Sequence, residues 1–377
     1  MILRISLKIL GVNFMASFDI LVLPGDGIGP EVTKEGVRTL ELIGQQYEHV
    51  FRLKHDTVGG DCIDKFGVAI REQTLQDARD FDAILFGAVG GPKWDDPTAP
   101  VRPEQGLLAL RSELQLWANL RPVKAIPALL DSSSIKQEIL EGTDIMVIRE
   151  LTSGAYFGEP KERRNENNLR AAVDTIYYRE DEVERVARLG FKLAQQRRNK
   201  LTNVDKANVL ESSRLWREIV HEVQKEFPEV EYEDVLVDAM TMHLIKRPSD
   251  FDVVIAGNMF GDIITDEASM LIGSMGMLAS ASLSTPGEVG TAFGMYEPIH
   301  GSAPDIAGKD IANPLAMILC TAMMLRHSCG LEEEAVAIEE AVSQVIEDGL
   351  RTADLTSESN ALNTIEIADE VLSRLGN

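Results

Sequence analysis

Asp262 and Asp266 stand four residues apart in Asn258-Met-Phe-Gly-Asp-Ile-Ile-Thr-Asp-Glu267, directly after the apolar run Phe251-Asp-Val-Val-Ile-Ala-Gly257. On a helix that spacing places two carboxylates on one face, and Gly257 and Gly261 let the chain turn sharply. Two aspartates make an open site for a hard cation, because Mg2+ or Mn2+ takes one or two carboxylates and fills its other positions with water or substrate oxygens. A solvated helix start, whose acids complement the helix dipole, accounts for the same pair. A second string, His300-Gly301-Ser302-Ala303-Pro304-Asp305-Ile306 with Asn313 further on, joins a stackable imidazole, turn formers and a carboxylate able to bond vicinal ribose hydroxyls. A third, Gly25-Asp-Gly-Ile-Gly-Pro30, lies where a dinucleotide fingerprint would lie. There G-x-G-x-x-G fails at Pro30, and no GxxxxGK[ST] occurs in the chain.

The elements that must position these groups alternate. Phe18–Leu23 reads as a buried strand, followed by a helix from near Glu31; Phe81–Phe86 reads as another strand, then a Gly/Pro-rich loop, then a helix containing Leu107 to Leu116. Further strands are expected over Asp144–Ile148 and Phe251–Ala256, and helices over Asp181–Asn199, Ser212–Phe227 and most of the stretch from Leu315 to the C-terminus. Such alternation predicts an α/β sheet covered by helices. Between 151 and 180 the pattern changes to a hairpin with a charged tip at 161–168 and a strand-like run Ala171–Tyr178. This is either an arm that pairs with a partner subunit or an ordinary surface hairpin. Met270, Met275 and Met277 read as core packing rather than a soft-metal site. The acidic run Glu332-Glu333-Glu334 reads as a solvated face.

The chain has 377 residues and a net charge of −24, long enough for two domains and too acidic for nucleic acid or an anionic membrane to be its principal partner. No apolar run approaches the roughly 18 residues of a membrane span. Cys62, Cys320 and Cys329 form no CxxC pair, so neither zinc nor a disulfide framework is indicated and a cytoplasmic location is expected. Residues 1–14 carry Arg4 and Lys8 but no acid, and precede Met15. They read as a disordered extension or the product of an upstream start, a targeting peptide being the alternative.

Taken together, Leu23-Pro-Gly-Asp-Gly-Ile-Gly-Pro-Glu-Val, Asn119-Leu-Arg-Pro, Arg149-Glu-Leu-Thr-Ser-Gly-Ala-Tyr-Phe-Gly-Glu, Asp205-Lys-Ala-Asn-Val-Leu-Glu, the two-aspartate string and His300-Gly-Ser-Ala-Pro-Asp resemble, in content and order, the β-decarboxylating dehydrogenases of isocitrate and isopropylmalate. The isopropylmalate branch is the nearer. The resemblance runs from about Phe18 to the C-terminus. It implies an isopropylmalate dehydrogenase-like two-domain fold that is not a Rossmann fold, with a mixed sheet flanked by helices and a β-hairpin dimer arm. Residues 1–17 would be an extension, 18–116 with 273–377 the first domain carrying the NAD loops, and 117–272 the second, carrying the dimer interface, the arm near 151–180 and the metal aspartates. It also implies a homodimer with shared active sites.

The reaction so implied is NAD-dependent oxidation and decarboxylation of 3-isopropylmalate to 4-methyl-2-oxopentanoate and CO2, a step of leucine biosynthesis. Arg111, Arg121 and Arg149 match family arginines that clamp the two malate carboxylates, a task suited to bidentate guanidinium bonds. Asp262, Asp266 and, from the neighbouring subunit, Asp238 would hold Mg2+ or Mn2+. Lys206, also from the neighbour, would be the base, and Tyr156 the acid that protonates the enol. Glu104, Leu107, Leu108 and Arg111 fall at i, i+3, i+4 and i+7 on one helical face. In the isopropylmalate branch this face, with Val209 of the partner, forms the side-chain pocket. Family pattern places Gly90, Gly91 and Glu104 near the nicotinamide, the loop His300–Ile306 along the cofactor with Asp305 on the adenosine ribose, and Asn313 near the adenine. Within the class the alternative is a D-malate, tartrate or homoisocitrate dehydrogenase. Outside it, the alternative is a noncatalytic regulatory paralogue.

Overall fold

The computed structural model describes residues 15–96, 98–286, 290, 292–356 and 359–376. The expected extension over 1–14 lies outside the described residues. Two compact units divide the chain: one of Met1–Leu114, Gly276–Ala281 and Glu288–Asn377, the other of Gln115–Met275 and Ser282–Gly287.

In the first unit the strands β1 (Ser17–Gly25), β2 (Val50–His55) and β3 (Ala83–Ala88) are parallel, with β1 between the other two. Two later strands are numbered β11 (Ala279–Leu283) and β12 (Gly294–Pro298), and β12 runs parallel beside β3. Every residue of β3 is buried, which is why it reads as a continuous apolar run: helices cover both faces of a parallel sheet. Helix Gly29–Gln46 starts two residues earlier than its sequence suggests, with Pro30 in its first turn, where a missing N–H costs nothing. Helix Leu315–Met324 is apolar nearly all round because it is buried. Helix Thr364–Leu375 opens with a capping box: Asn363 accepts from Glu366 N, and Glu366 accepts from Asn363 N.

The second unit holds β4 (Ala118–Lys124), β5 (Asp144–Glu150), β8 (Lys200–Asp205), β9 (Glu231–Leu236) and β10 (Val253–Ala256), in the order β4-β5-β10-β8-β9. Here β4 is antiparallel to β5 and the remaining pairs are parallel, so this sheet is mixed. The amphipathic helices Glu180–Gln196 and Glu211–Gln224 pack against one another. The hairpin of β6 (Glu162–Glu166) and β7 (Leu169–Val173) forms its own two-stranded sheet.

Several expectations are corrected. Strand β7 stops at Val173, and residues 174–178 belong to no strand. The helix expected over Leu107–Leu116 runs Glu104–Glu113, ended by Leu114 and by Gln115 at φ 51°. Met270 and Met275 are exposed, and only Met277 packs in a core. Glu334, assigned to a solvated face, is buried and pairs with His49 Nε2 at 2.9 Å.

Candidate active site

Three side chains of the second unit share one face of β4 and β5. Asn119 lies opposite Arg149 in the antiparallel register, and Arg121 is two residues from Asn119. Period-two alternation turns all three the same way. Strand β10 lies on the other side of β5, with Ala256 beside Arg149, and helix Asn258–Ser269 follows after a single residue. The site therefore gathers where parallel strands end, the usual place for ligands in such sheets.

Arg149 is buried and donates from Nε and Nη2 to Asn258 Oδ1 at 3.1 and 2.8 Å, and from Nη1 to Asp262 Oδ1. Tyr156 Oη donates to Asp262 Oδ2 at 2.8 Å. Arg121 Nη1 donates to Thr265 Oγ1 at 2.6 Å, and lies 3.3 Å from Asp262 and 3.8 Å from Asp266. Asn119 Oδ1 takes the Arg121 Nε hydrogen at 2.6 Å, and Asn119 Nδ2 donates to Ser282 Oγ at 3.0 Å. Gly257 and Gly261 do a different job from the turn-making read from sequence. Gly257 has φ −62°, and a Cβ on Gly261 would stand 2.7 Å from Arg149 Cγ. The glycine lets the arginine lie against the helix.

Asp266 is the open end of this cluster, its side chain 59% exposed. Burial raises its pKa and the charge of Asp262 raises it further, against the pull of Arg121 and Arg149. A carboxylate whose ionisation its neighbour opposes, and which presents hard oxygens beside that neighbour, suits a divalent cation. Among the described residues no group of three His, Cys, Asp or Glu side chains could hold a metal, so Asp238 is not part of this cluster within one protomer. It pairs instead with Lys206, Nζ to Oδ1 at 2.6 Å, and this hydrogen bond lowers its pKa. Lys206 follows Asp205 at the end of β8, and its backbone N–H donates to Ser213 Oγ at 3.1 Å. Val209 is exposed.

The first unit holds the remaining residues. Arg111, buried, donates from Nη2 to the buried Glu297 at 2.7 Å. Its Nε has no hydrogen-bond partner among the described residues. A buried donor left unpaired suits an incoming carboxylate. On the same helix Glu104 is exposed and Leu107 and Leu108 are half-buried. His300 Nδ1 lies 3.0 Å from Gly301 O, its Nε2 is likewise buried with no hydrogen-bond partner among the described residues, and burial lowers its pKa. Gly301 faces open space, Ser302 is buried and Asp305 exposed. Asn313 is buried, its amide engaged with Leu315 N at 3.0 Å and Asp354 at 3.1 Å.

Sequence reasoning passed over Asn258, Thr265, Asn119 and Glu297. Asn119 was visible in Asn119-Leu-Arg-Pro, and Thr265 sits between the two aspartates. Nothing local to Glu297 points to a partner 186 residues away.

Residues 19–371 match the family described as isocitrate/isopropylmalate dehydrogenase. A 3-isopropylmalate dehydrogenase of Dehalococcoides mccartyi strain CBDB1 is 55% identical over 95% of this chain and 99% of its own length. One of Anaeromyxobacter dehalogenans strain 2CP-C is 56% identical over 94% and 99%. The crystal structure of isocitrate dehydrogenase from Methylococcus capsulatus superposes with a TM-score of 0.83 at 33% identity, covering 96% of this chain and all of that one. A match that spans nearly every described strand and helix, from β1 to the C-terminal helix, places the chain in the isocitrate/isopropylmalate dehydrogenase family.

Proposed function

We propose that the protein oxidises and decarboxylates 3-isopropylmalate to 4-methyl-2-oxopentanoate and CO2, with reduction of NAD+, in leucine biosynthesis. The observation that carries this reading is the convergence of Arg121, Arg149 and Tyr156 on Asp262, beside the open Asp266. Two guanidiniums can hold a malate carboxylate by paired bonds, and Arg111 with its unpaired Nε offers a third cation. Leu107 and Leu108 favour an apolar C3 substituent, since burying an isopropyl group against them is worth about 1.5–3 kcal/mol, whereas a third carboxylate there would lose hydration unpaired.

Asp262 and Asp266, with Asp238 of a second copy, would hold Mg2+ or Mn2+, which supplies a Lewis acid toward the 2-hydroxyl and the ketone it becomes. NAD+ would supply the hydride acceptor; Gly90, Gly91, Glu104 and the loop His300–Ile306 are the residues that fit it, with the buried His300 Nε2, unpaired among the described residues, and the open space beside Gly301 as supports. Lys206 of the second copy takes the hydroxyl proton as hydride leaves C2. The bond from C3 to its carboxylate then breaks, CO2 departs, and the bonding pair becomes the C2–C3 double bond of an enolate, which takes a proton at C3 with the help of Tyr156. Arg111, Arg121 and Arg149 orient the dianion throughout. Lys206 suits the base role where neighbouring positive charges lower its pKa.

The same reading includes a homodimer, because the resemblance assigns the salt-bridged Lys206 and Asp238 to the site of another copy. Met242 and Ile245 on helix Val237–Lys246 and Ile263 on the adjacent helix Asn258–Ser269 are exposed apolar side chains on two packed helices, which supports a helical interface. The β6–β7 ribbon is exposed along both strands, and an isolated two-stranded ribbon needs something to pair with. Buried free cysteines accord with a cytoplasmic location. No helix among the described residues is long and apolar enough to cross a membrane.

The test is NADH formation by the purified protein with Mg2+ and NAD+, comparing 3-isopropylmalate with D-malate, isocitrate and homoisocitrate at equal concentrations. Preference for isopropylmalate supports the reading, preference for another acid overturns the leucine pocket, and silence on all four favours a noncatalytic paralogue.

A further inference from the structure

The Gly25–Pro30 loop is the one motif of the sequence that this chemistry leaves without a task. Its carboxylate, Asp26, is buried. Three backbone N–H groups donate to it: Gly60 at 2.7 Å and Gly90 at 2.9 Å to Oδ2, and Asp61 at 2.8 Å to Oδ1. Gly60 and Asp61 open helix Gly60–Phe66, whereas Gly90 begins the Gly90-Gly91 segment. The same two segments meet again through Trp94, whose ring lies so near Gly60 that a Cβ there would sit 2.3 Å from it. Lys93 Nζ adds a bond to Asp64 at 2.5 Å. The next residues of the loop reach the His300 segment: Ile28 N donates to Ser302 O at 2.8 Å, and a Cβ on Gly27, at φ +60°, would fall 1.9 Å from that carbonyl oxygen.

We infer that Asp26 is a positioning residue for the dinucleotide: it ties the Gly90-Gly91 segment to helix Gly60–Phe66 while its own loop seats the His300 segment, so both cofactor segments are preset by one buried carboxylate. This rests on the NAD+ reading given above. An ionised carboxylate has only acceptors and can satisfy all three N–H groups, through charge-assisted bonds stronger than neutral ones. Asparagine keeps one oxygen and turns two donors toward backbone donors. Glutamate does not fit on the side of Gly59, where a Cβ would already stand 2.5 Å from Asp26 Oδ2.

The experiment compares wild type, Asp26→Asn and Gly59→Ala, the second of which leaves the carboxylate's chemistry intact but crowds it, along with Val89, from a backbone at φ +76°. Glu334→Gln, whose carboxylate pairs with His49 instead, controls for a general loss of stability in the same unit. NAD+ affinity is measured by calorimetry, amide hydrogen exchange across residues 86–94 by mass spectrometry, and both KM values by NADH formation. The expected result is a tenfold or greater loss of NAD+ affinity and a matching rise in KM for NAD+ in Asp26→Asn and Gly59→Ala. KM for isopropylmalate should stay within threefold, exchange should be faster over 86–94, and Glu334→Gln should show none of these. Unchanged NAD+ affinity with unchanged exchange in either folded variant overturns the inference, as does an equal rise in both KM values. Should one variant fail to fold, the other decides. A wild type that binds NAD+ but turns over no acid sinks the proposed reaction and leaves the inference standing on affinity and exchange; a wild type that binds no NAD+ sinks both.

Discussion

Lys206 Nζ lies 2.6 Å from Asp238 Oδ1, and this pair stands apart from the acids on helix Asn258–Ser269, since no three-acid group forms among the described residues. Under the proposed reading Lys206 and Asp238 would serve a second copy's site as base and metal ligand, and the acids and arginines they would complement are that copy's own. Two copies related by a two-fold axis would bring each copy's pair to the other's site.

Complementation therefore follows. Lys206→Ala and Asp262→Asn should each be inactive as purified, and subunits of the two, unfolded together and refolded as a mixture, should regain roughly a quarter of wild-type activity, because half of the dimers are mixed and each holds one intact site. Absence of recovery, with mixed dimers shown by mass spectrometry, would place Lys206 and Asp262 in a single protomer's site.

Asp262→Asn removes a charge that Arg149, Tyr156 and Arg121 all address. The loss in kcat/KM should be on the order of 100-fold or more, whereas NAD+ affinity, which under the proposed reading rests on residues of the first unit, should change less than about threefold. Calorimetry of NAD+ binding beside steady-state kinetics checks both halves.

The half-buried pair Leu107 and Leu108 predicts a specificity change. Leu108→Ala should lower kcat/KM for 3-isopropylmalate by about 10-fold, equivalent to about 1.4 kcal/mol of lost apolar contact. Turnover of D-malate, which has no C3 substituent, should hardly move. An equal loss on both substrates would mean that the residue supports the helix rather than the pocket.

His327 predicts an acid sensitivity of the first unit. Burial, helped by the charge of Arg326, pushes its pKa down to about 4 from an ordinary 6.5. Above pH ~6.5 the ring is neutral folded or unfolded and contributes nothing to the pH dependence. As pH falls from ~6.5 toward 4 the unfolded chain takes the proton first, so stability drops, by up to about 3 kcal/mol, and levels once the folded ring also protonates. Thermal midpoints of wild type and His327→Leu across pH 4–8 should diverge in this window, the variant showing the shallower slope. Parallel curves would remove His327 from the account.

What the sequence by itself determined was local. The i, i+4 aspartates, the apolar runs of β1 and β3 and the leucine pair on its helix face are set by spacings of a few residues, and the propensities and periodicities that govern such spacings are visible in one dimension. Its errors were local too: helix ends at Glu31 and Leu116, where propensity is flat, and methionines and glutamates whose burial depends on what packs above them. Only the tertiary structure decided which groups meet. Arg149 reaches Asp262 across 113 residues of chain because β10 inserts between β5 and β8, and Arg111 reaches Glu297 across 186. Asp26, read as part of a failed fingerprint, became the acceptor of three amides because Gly25 and Gly29 allow their loop to lie against Ala88 and Pro24, where a Cβ would come within 1.9 and 2.1 Å of a carbonyl oxygen. Strand order and close backbone approach are properties of the packed sheet, in which each contact depends on every element between, and no short window of residues carries them.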